Sequence, residues 1–332
     1  MKIAATPMAF VRAVVLAYEK ARRDPVAALA EAHISPQQLR QVDGRVTAAQ
    51  FEALCDFAMR ELDDEALGWF SRPLRWGSYG LLSRASLHAP NLGVALARWC
   101  RHHRLLCNDI RHVLTVTDGV ATLSLEELAP LGATREFCLV SCLRFVHGYA
   151  CWAIDSRLSL REASFPFPAP AHGRAYPLMF SGELRFGAPR AAFSFDAEYL
   201  ALPLRRDEAA LSAMLKRPLP LTVLQYRRDR LLVQQVRGQL LRSASPATAD
   251  SLAAALHVSV RTLHRQLQEE GASLQSLKDE VRRERAIEQL RRSSRPVKQI
   301  AQDVGFRNEK SFSRAFKGWT GQSPGEFRAA TR

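Results

Sequence analysis

Two short clusters in this 332-residue sequence carry the groups that grip phosphate and read base edges: Arg261, Thr262, His264 and Arg265, then Glu309, Lys310, Ser311, Ser313 and Arg314. Arginine can bond guanine through two parallel hydrogen bonds, serine and threonine can reach several bases or a phosphate, and lysine neutralises phosphate. Groups for bond-making chemistry are missing: the sequence has no G-x-S-x-G, P-loop, H-E-x-x-H or dinucleotide fingerprint. A protein that binds, and is not an enzyme, is the expectation, with no cofactor and no metal.

Both clusters need helices to present them, and the flanking sequence supplies two similar ones. Set beside each other, "LAAALHVSVRTLHRQL" (252 to 267) and "IAQDVGFRNEKSFSRAF" (300 to 316) pair Leu252 with Ile300, Ala253 with Ala301 and Leu256 with Val304. Further on, Leu263 pairs with Phe312 and Arg265 with Arg314. Each copy predicts a short helix with a small alanine at a close approach, a turn at His257 or Gly305, an N-cap at Ser259 or Asn308, and a second helix. Between the copies, Leu274, Leu277, Val281, Ile287 and Leu290 keep helical spacing. A rigid connecting helix there could hold two recognition helices about one duplex turn apart, roughly 34 Å.

Composition agrees with a polyanionic partner. The formal charge is +14, and residues 238–332 hold 17 Lys and Arg against 10 Asp and Glu, so this end carries half of the excess. Nucleic acid comes first among the partners such a charge favours, and an anionic membrane surface second. At 47% hydrophobic residues, the chain is globular. No apolar run approaches the roughly 20 residues that cross a bilayer, and the start does not read as a signal peptide. A cytoplasmic protein, nucleoid-associated when on DNA, is expected. The six cysteines sit in apolar surroundings and read as reduced core thiols. A metal reading would need Cys100, His102, His103 and Cys107, or Cys138 and Cys142, to converge.

The first 200 residues mix periods. Residues 7–65 read as helices, with Thr6-Pro7, Ser35-Pro36 and a Thr47/Gln50 capping box as starts. Alternating runs flank Asp118-Gly119, which is a hairpin signal, residues 136–154 read as a buried helix, and 158–165 and 183–195 as strands. "KRPLPL" (216 to 221) marks a domain end, after which no strand pattern occurs. The fold class is therefore an α+β N-terminal domain followed by an all-α C-terminal domain with two helix-turn-helix units joined by a long helix.

From 228 to 328 the sequence resembles the AraC/XylS family of bacterial transcription regulators, most specifically in "IAQDVGFRNEKSFSRAFKGWTGQSPGEFR". The resemblance implies base-reading roles for Arg261, His264, Arg265, Glu309, Lys310, Ser313 and Arg314, and a tail folded back through Pro324 and Phe327. His257 departs from the glycine usual in the first turn, and Arg307 from a small capping residue in the second. "RWGSYGLLSRASLHAPNLGVALARW", "HGYACW" and "YPLMFSGELRFGAPRAAFSFDAEYLALPL" are similar to the effector-binding and dimerisation domain of one subgroup.

The implied organisation is an effector and dimerisation domain at 1–215, a linker at 216–227 and a DNA-binding domain at 228–332, with helix-turn-helix units near 249–270 and 297–318. The implied function is a regulator of transcription, an activator acting as a homodimer through RNA polymerase, that responds to a small organic acid or amino acid. From chemistry alone, Arg75, Trp76 and Tyr79 could take a carboxylate against an aromatic wall, with His147, Tyr149 and Trp152 opposite. Alternatives are a constitutive or DNA-bending regulator whose N-terminal domain only dimerises and, remotely, an Ada-type repair protein, which would need a zinc-held nucleophilic cysteine.

Overall fold

Ser35 and Thr47 each accept a hydrogen bond from the backbone three residues on, while Gln38 and Gln50 return one, so two capping boxes start two helices of the first unit. The computed structural model describes residues 4–223, 231–242 and 247–330. It divides into two units, Met1–Asp229 and Arg230–Arg332. Residues 224–227, which belong to the expected linker, lie outside the described residues, as do 228–230.

The first unit runs β1 (Ala4–Pro7), α1 (Met8–Lys20), α2 (Val26–Glu31), α3 (Pro36–Leu39), β2 (Arg45–Thr47), α4 (Ala48–Glu61), α5 (Ser78–Leu87), α6 (Leu92–Leu106), β3 (Ile110–Thr117), β4 (Val120–Glu127), α7 (Arg135–Ala153), β5 (Leu160–Phe165), α8 (Tyr176–Met179), β6 (Glu183–Phe186), β7 (Ala191–Asp196), α9 (Glu208–Leu215) and α10 (Leu219–Val223). Asp118 and Gly119 both have positive φ, 50° and 73°, the geometry of a two-residue hairpin turn. Five strands follow the order β3-β4-β7-β5-β6, antiparallel except for β5 with β6. In β4 and β7 alternate residues are buried, and Leu123 lies opposite Phe193 and Ala121 opposite Phe195. Each pair combines a smaller side chain with a larger one on the face that carries the core.

The all-round apolar character of 136–154 becomes α7, whose buried residues include Phe137, Leu139, Val140 and Cys142 on several faces. One expectation fails. Thr6-Pro7 does not begin a helix from within: both residues lie in β1, which pairs with β2, and Pro7 is an extended N-cap to α1. The pairing joins segments some forty residues apart, which no local period encodes, and proline's missing N–H is tolerated at the end of a strand.

The second unit is all helical over its described residues: α11 (Leu231–Arg242), α12 (Ala249–Ala255), α13 (Val260–Glu269), α14 (Leu274–Arg292), α15 (Val297–Asp303), α16 (Glu309–Thr320) and α17 (Pro324–Ala330). Its two small cores share one helix. Leu274, Leu277 and Val281 of α14 pack with Leu252, Leu263 and Leu267, whereas Ala286 and Leu290 pack with Ile300, Phe312 and Phe316. At 1.5 Å per residue α14 spans about 28 Å and contributes residues to both small cores.

Candidate functional site

From the end of the first helix to the cap of the second, the two helix pairs of the second unit are built alike. Ala253 and Ala301 are buried, and their carbonyls accept from Val258 N at 3.0 Å and Phe306 N at 2.8 Å, which closes the end of α12 and α15. Between these bonds His257 and Gly305 have φ of 56° and 86°. Ser259 Oγ then accepts from Thr262 N at 3.1 Å, and Asn308 Oδ1 from Ser311 N at 2.8 Å, so α13 and α16 start from equivalent caps. Leu263 and Leu267, like Phe312 and Phe316, are fully buried beneath them.

That burial fixes which faces remain outside. Arg261, His264 and Arg265 on α13 are exposed, as are Glu309, Lys310, Ser311 and Arg314 on α16, while Thr262 and Ser313 are half-buried. Thr262 Oγ1 lies 2.8 Å from Ser259 Oγ, so its hydroxyl already belongs to the cap. Arg265 pairs with Glu269 at 3.0 Å, with both side chains largely in water, where such a pair is weak and easily exchanged for a phosphate or base. The tail returns over the second pair: Phe327 of α17 meets Phe316 at 5.5 Å and lies under Arg291 at 5.6 Å.

The first unit encloses a separate site, a cavity of about 300 Å³. Aromatic rings form much of its wall: Tyr79 lies 5.6 Å from Trp99 and 5.8 Å from Phe145, and Trp69 lies 6.3 Å from Phe145. The 62–77 loop that supplies part of this wall is held by a run of three acids. Asp64 accepts from Ala66, Gly68 and Leu74 N at 2.8–2.9 Å. Asp63 accepts from Trp76 N at 3.0 Å and Glu65 from Gly77 and Tyr79 N at 2.7 and 2.6 Å.

Burial, with Asp64 and Asp63 nearby, raises the Glu65 carboxyl above the usual carboxylate range, against the two N–H bonds that lower it. His103 and His112 line the cavity with rings 4.2 Å apart. Burial pulls His103 down to about 4, and burial together with His103 holds His112 well below the usual histidine value.

Of the residues expected from sequence to form a ligand site, Trp76 and Tyr79 line this cavity. Arg75 does not: its side chain is 71% exposed and ion-paired with Asp63 at 2.8 Å. His147 is buried elsewhere, its Nε2 donating to Leu158 O at 2.9 Å and its Nδ1 accepting from Arg144 Nη1 at 3.3 Å, so both nitrogens are occupied. Trp152 is buried against Tyr149 and Arg206. Tyr149 meets Trp99 at 4.7 Å, behind the wall. Glu65, Trp69, Trp99, His103 and His112 are not among the residues expected for the effector site, because they come from three elements, the 62–77 loop, α6 and β3, that only the tertiary fold brings together.

Among the described residues no group of three or more His, Cys, Asp and Glu side chains is placed to hold a metal ion, and no helix is long and apolar enough to cross a membrane. All six cysteines are free thiols, and five of them are buried.

Residues 23–204 match the family model of the arabinose-binding N-terminal domain of the AraC transcription regulator, and 252–330 match a helix-turn-helix domain model. The ornithine utilization regulator of Pseudomonas aeruginosa is 30% identical over 90% of this chain and 89% of its own length. The regulator VqsM of the same organism is 44% identical over 22% of each chain. Among solved structures, the transcriptional regulator CdpR from P. aeruginosa is 21% identical, with a TM-score of 0.32 over 92% of this chain and 96% of that one.

Proposed function

The chain belongs to the AraC family of transcription regulators, with a helix-turn-helix DNA-binding domain and an N-terminal ligand-binding domain, and from that membership we propose how its parts work. The exposed side chains of α13 and α16 read two successive stretches of major groove. Arg261, His264 and Arg265 contact base edges in the first, and Glu309, Lys310, Ser313 and Arg314 contact bases and phosphate in the second. Thr262 and Ser311 stand in the first turns of α13 and α16, beside the phosphates that flank each groove. The observation that carries this is the duplication itself: the same bonds, turn and cap appear twice, with a basic exposed face on each copy.

The cavity of the first unit is the effector site, and the effector is a small organic acid or amino acid that acts on a homodimer to activate transcription through RNA polymerase. The P. aeruginosa relative takes its name from the utilization of ornithine, an amino acid. Leu215 and Leu219, which close one side of the cavity, belong to α9 and α10, and the chain passes from α10 to the second unit. An occupant that touches them biases the segment leading to the DNA-binding helices. It can shift the population of DNA-binding arrangements by no more than its own difference in affinity for them. DNA binding by the full chain, measured with and without a compound that raises its melting temperature, tests this. A constitutive regulator would bind its site equally in both conditions.

A further inference from the structure

The charges on the cavity wall are not evenly matched. Asp56 is paired with Arg60 at 2.9 Å and Arg84 with Glu208 at 2.7 Å. Glu65 lines the same wall, and among the described residues it has no ion-pair partner. Its two oxygens accept one backbone N–H each, from Gly77 and Tyr79. An ionised carboxylate has about four lone-pair sites, so roughly two remain for a further donor. Trp69, Tyr79, Trp99 and Phe145 line the same cavity, and the faces of aromatic rings attract a cation that has left water. His103 and His112 offer no positive charge at neutral pH, because burial keeps them deprotonated.

From this arrangement we propose that the effector carries a protonated amine on an apolar body, with the ammonium beside Glu65 and the body against the aromatic rings. The proposal rests on the reading of the cavity as the effector site and narrows its ligand class. A carboxylate without an amine would bring a second negative charge beside Glu65, into a wall whose one guanidinium is already engaged by Glu208. An ammonium supplies the missing counter-ion and the missing donor together. It also relieves the repulsion that Asp63 and Asp64 exert on Glu65.

The test uses the full chain at pH 7.5 and three compounds of one shape: phenethylamine, 2-phenylethanol and 3-phenylpropanoate, with 1,4-diaminobutane as a non-aromatic amine. Binding is read by quenching of tryptophan fluorescence and by melting temperature. The expected result is that an amine binds at least roughly tenfold tighter than the acid, and that Glu65→Gln lowers the ratio of amine to acid affinity. The wild-type ratio decides the matter even if the variant folds poorly. Tighter binding of the acid would overturn the amine assignment and leave the cavity as an effector site. No binding by any of the four would overturn both.

Discussion

His257 and Gly305 share one backbone conformation, φ 56° and 86°, at the same position of two helix-turn-helix units. The turn demands it: the chain must reverse within a residue so that Val258 and Phe306 can return their N–H groups to Ala253 and Ala301. Glycine adopts this conformation without a steric cost, and histidine does not. His257→Gly should therefore stabilise the protein by up to about 1 kcal/mol, and Gly305→Ala should destabilise it by about 1 kcal/mol. Thermal melting of both variants checks the pair. Equal and opposite shifts are not required, but the signs are.

Gly148 lies where α7 is crossed by α10, and a side chain there would collide with the backbone carbonyl of Leu221. Gly148→Ala should cost about 1–3 kcal/mol, since backbone, not a flexible side-chain end, must yield. Displacing α10 also moves Leu219 in the cavity wall. The variant should bind any effector more weakly even at a temperature where it is folded, which a titration monitored by fluorescence would show.

Acid should loosen the first unit. His103 titrates at about 4 and His147 at about 3 in the folded chain, against roughly 6.5 unfolded. The unfolded chain therefore binds protons first as pH falls. The stability contributed is complete above about pH 6.5 and is lost progressively as pH drops through the folded values. Melting temperature should fall from pH 7.5 to pH 5, and His103→Phe, which removes one of these buried histidines, should make that fall shallower.

Lys310 is exposed at the start of α16. Lys310→Ala should weaken binding to all duplexes by a similar factor and lower the slope of log affinity against log salt by about 1. A change confined to one base position would assign Lys310 to base reading instead.

The DNA-binding unit was legible because its determinants are local. Caps at Ser259 and Asn308, buried positions at Leu263, Leu267, Phe312 and Phe316, and the reversal at residues 257 and 305 all lie within a few residues of one another. The cavity was only half legible. Trp76 and Tyr79 could be picked out as aromatic residues beside glycines, but Glu65 joins them through bonds to Gly77 and Tyr79 N across a loop, and His112 arrives on β3. His147 and Trp152 attracted notice by type alone, and type does not reveal that a ring's nitrogens are already bonded to Arg144 and Leu158. The strand β1 was invisible because its partner β2 lies far along the chain.

The measurement that bears most directly on two-helix recognition is selection of bound duplexes from a random pool, by the full chain and by Arg265→Ala and Arg314→Ala. The wild-type protein should enrich a motif with two conserved blocks about one helical turn apart. Each variant should lose sequence information in a different block and cost about 1–3 kcal/mol of affinity for the wild-type motif. If both variants enrich the same motif with undiminished affinity, α13 and α16 do not read DNA through these arginines, and the proposed interface is wrong.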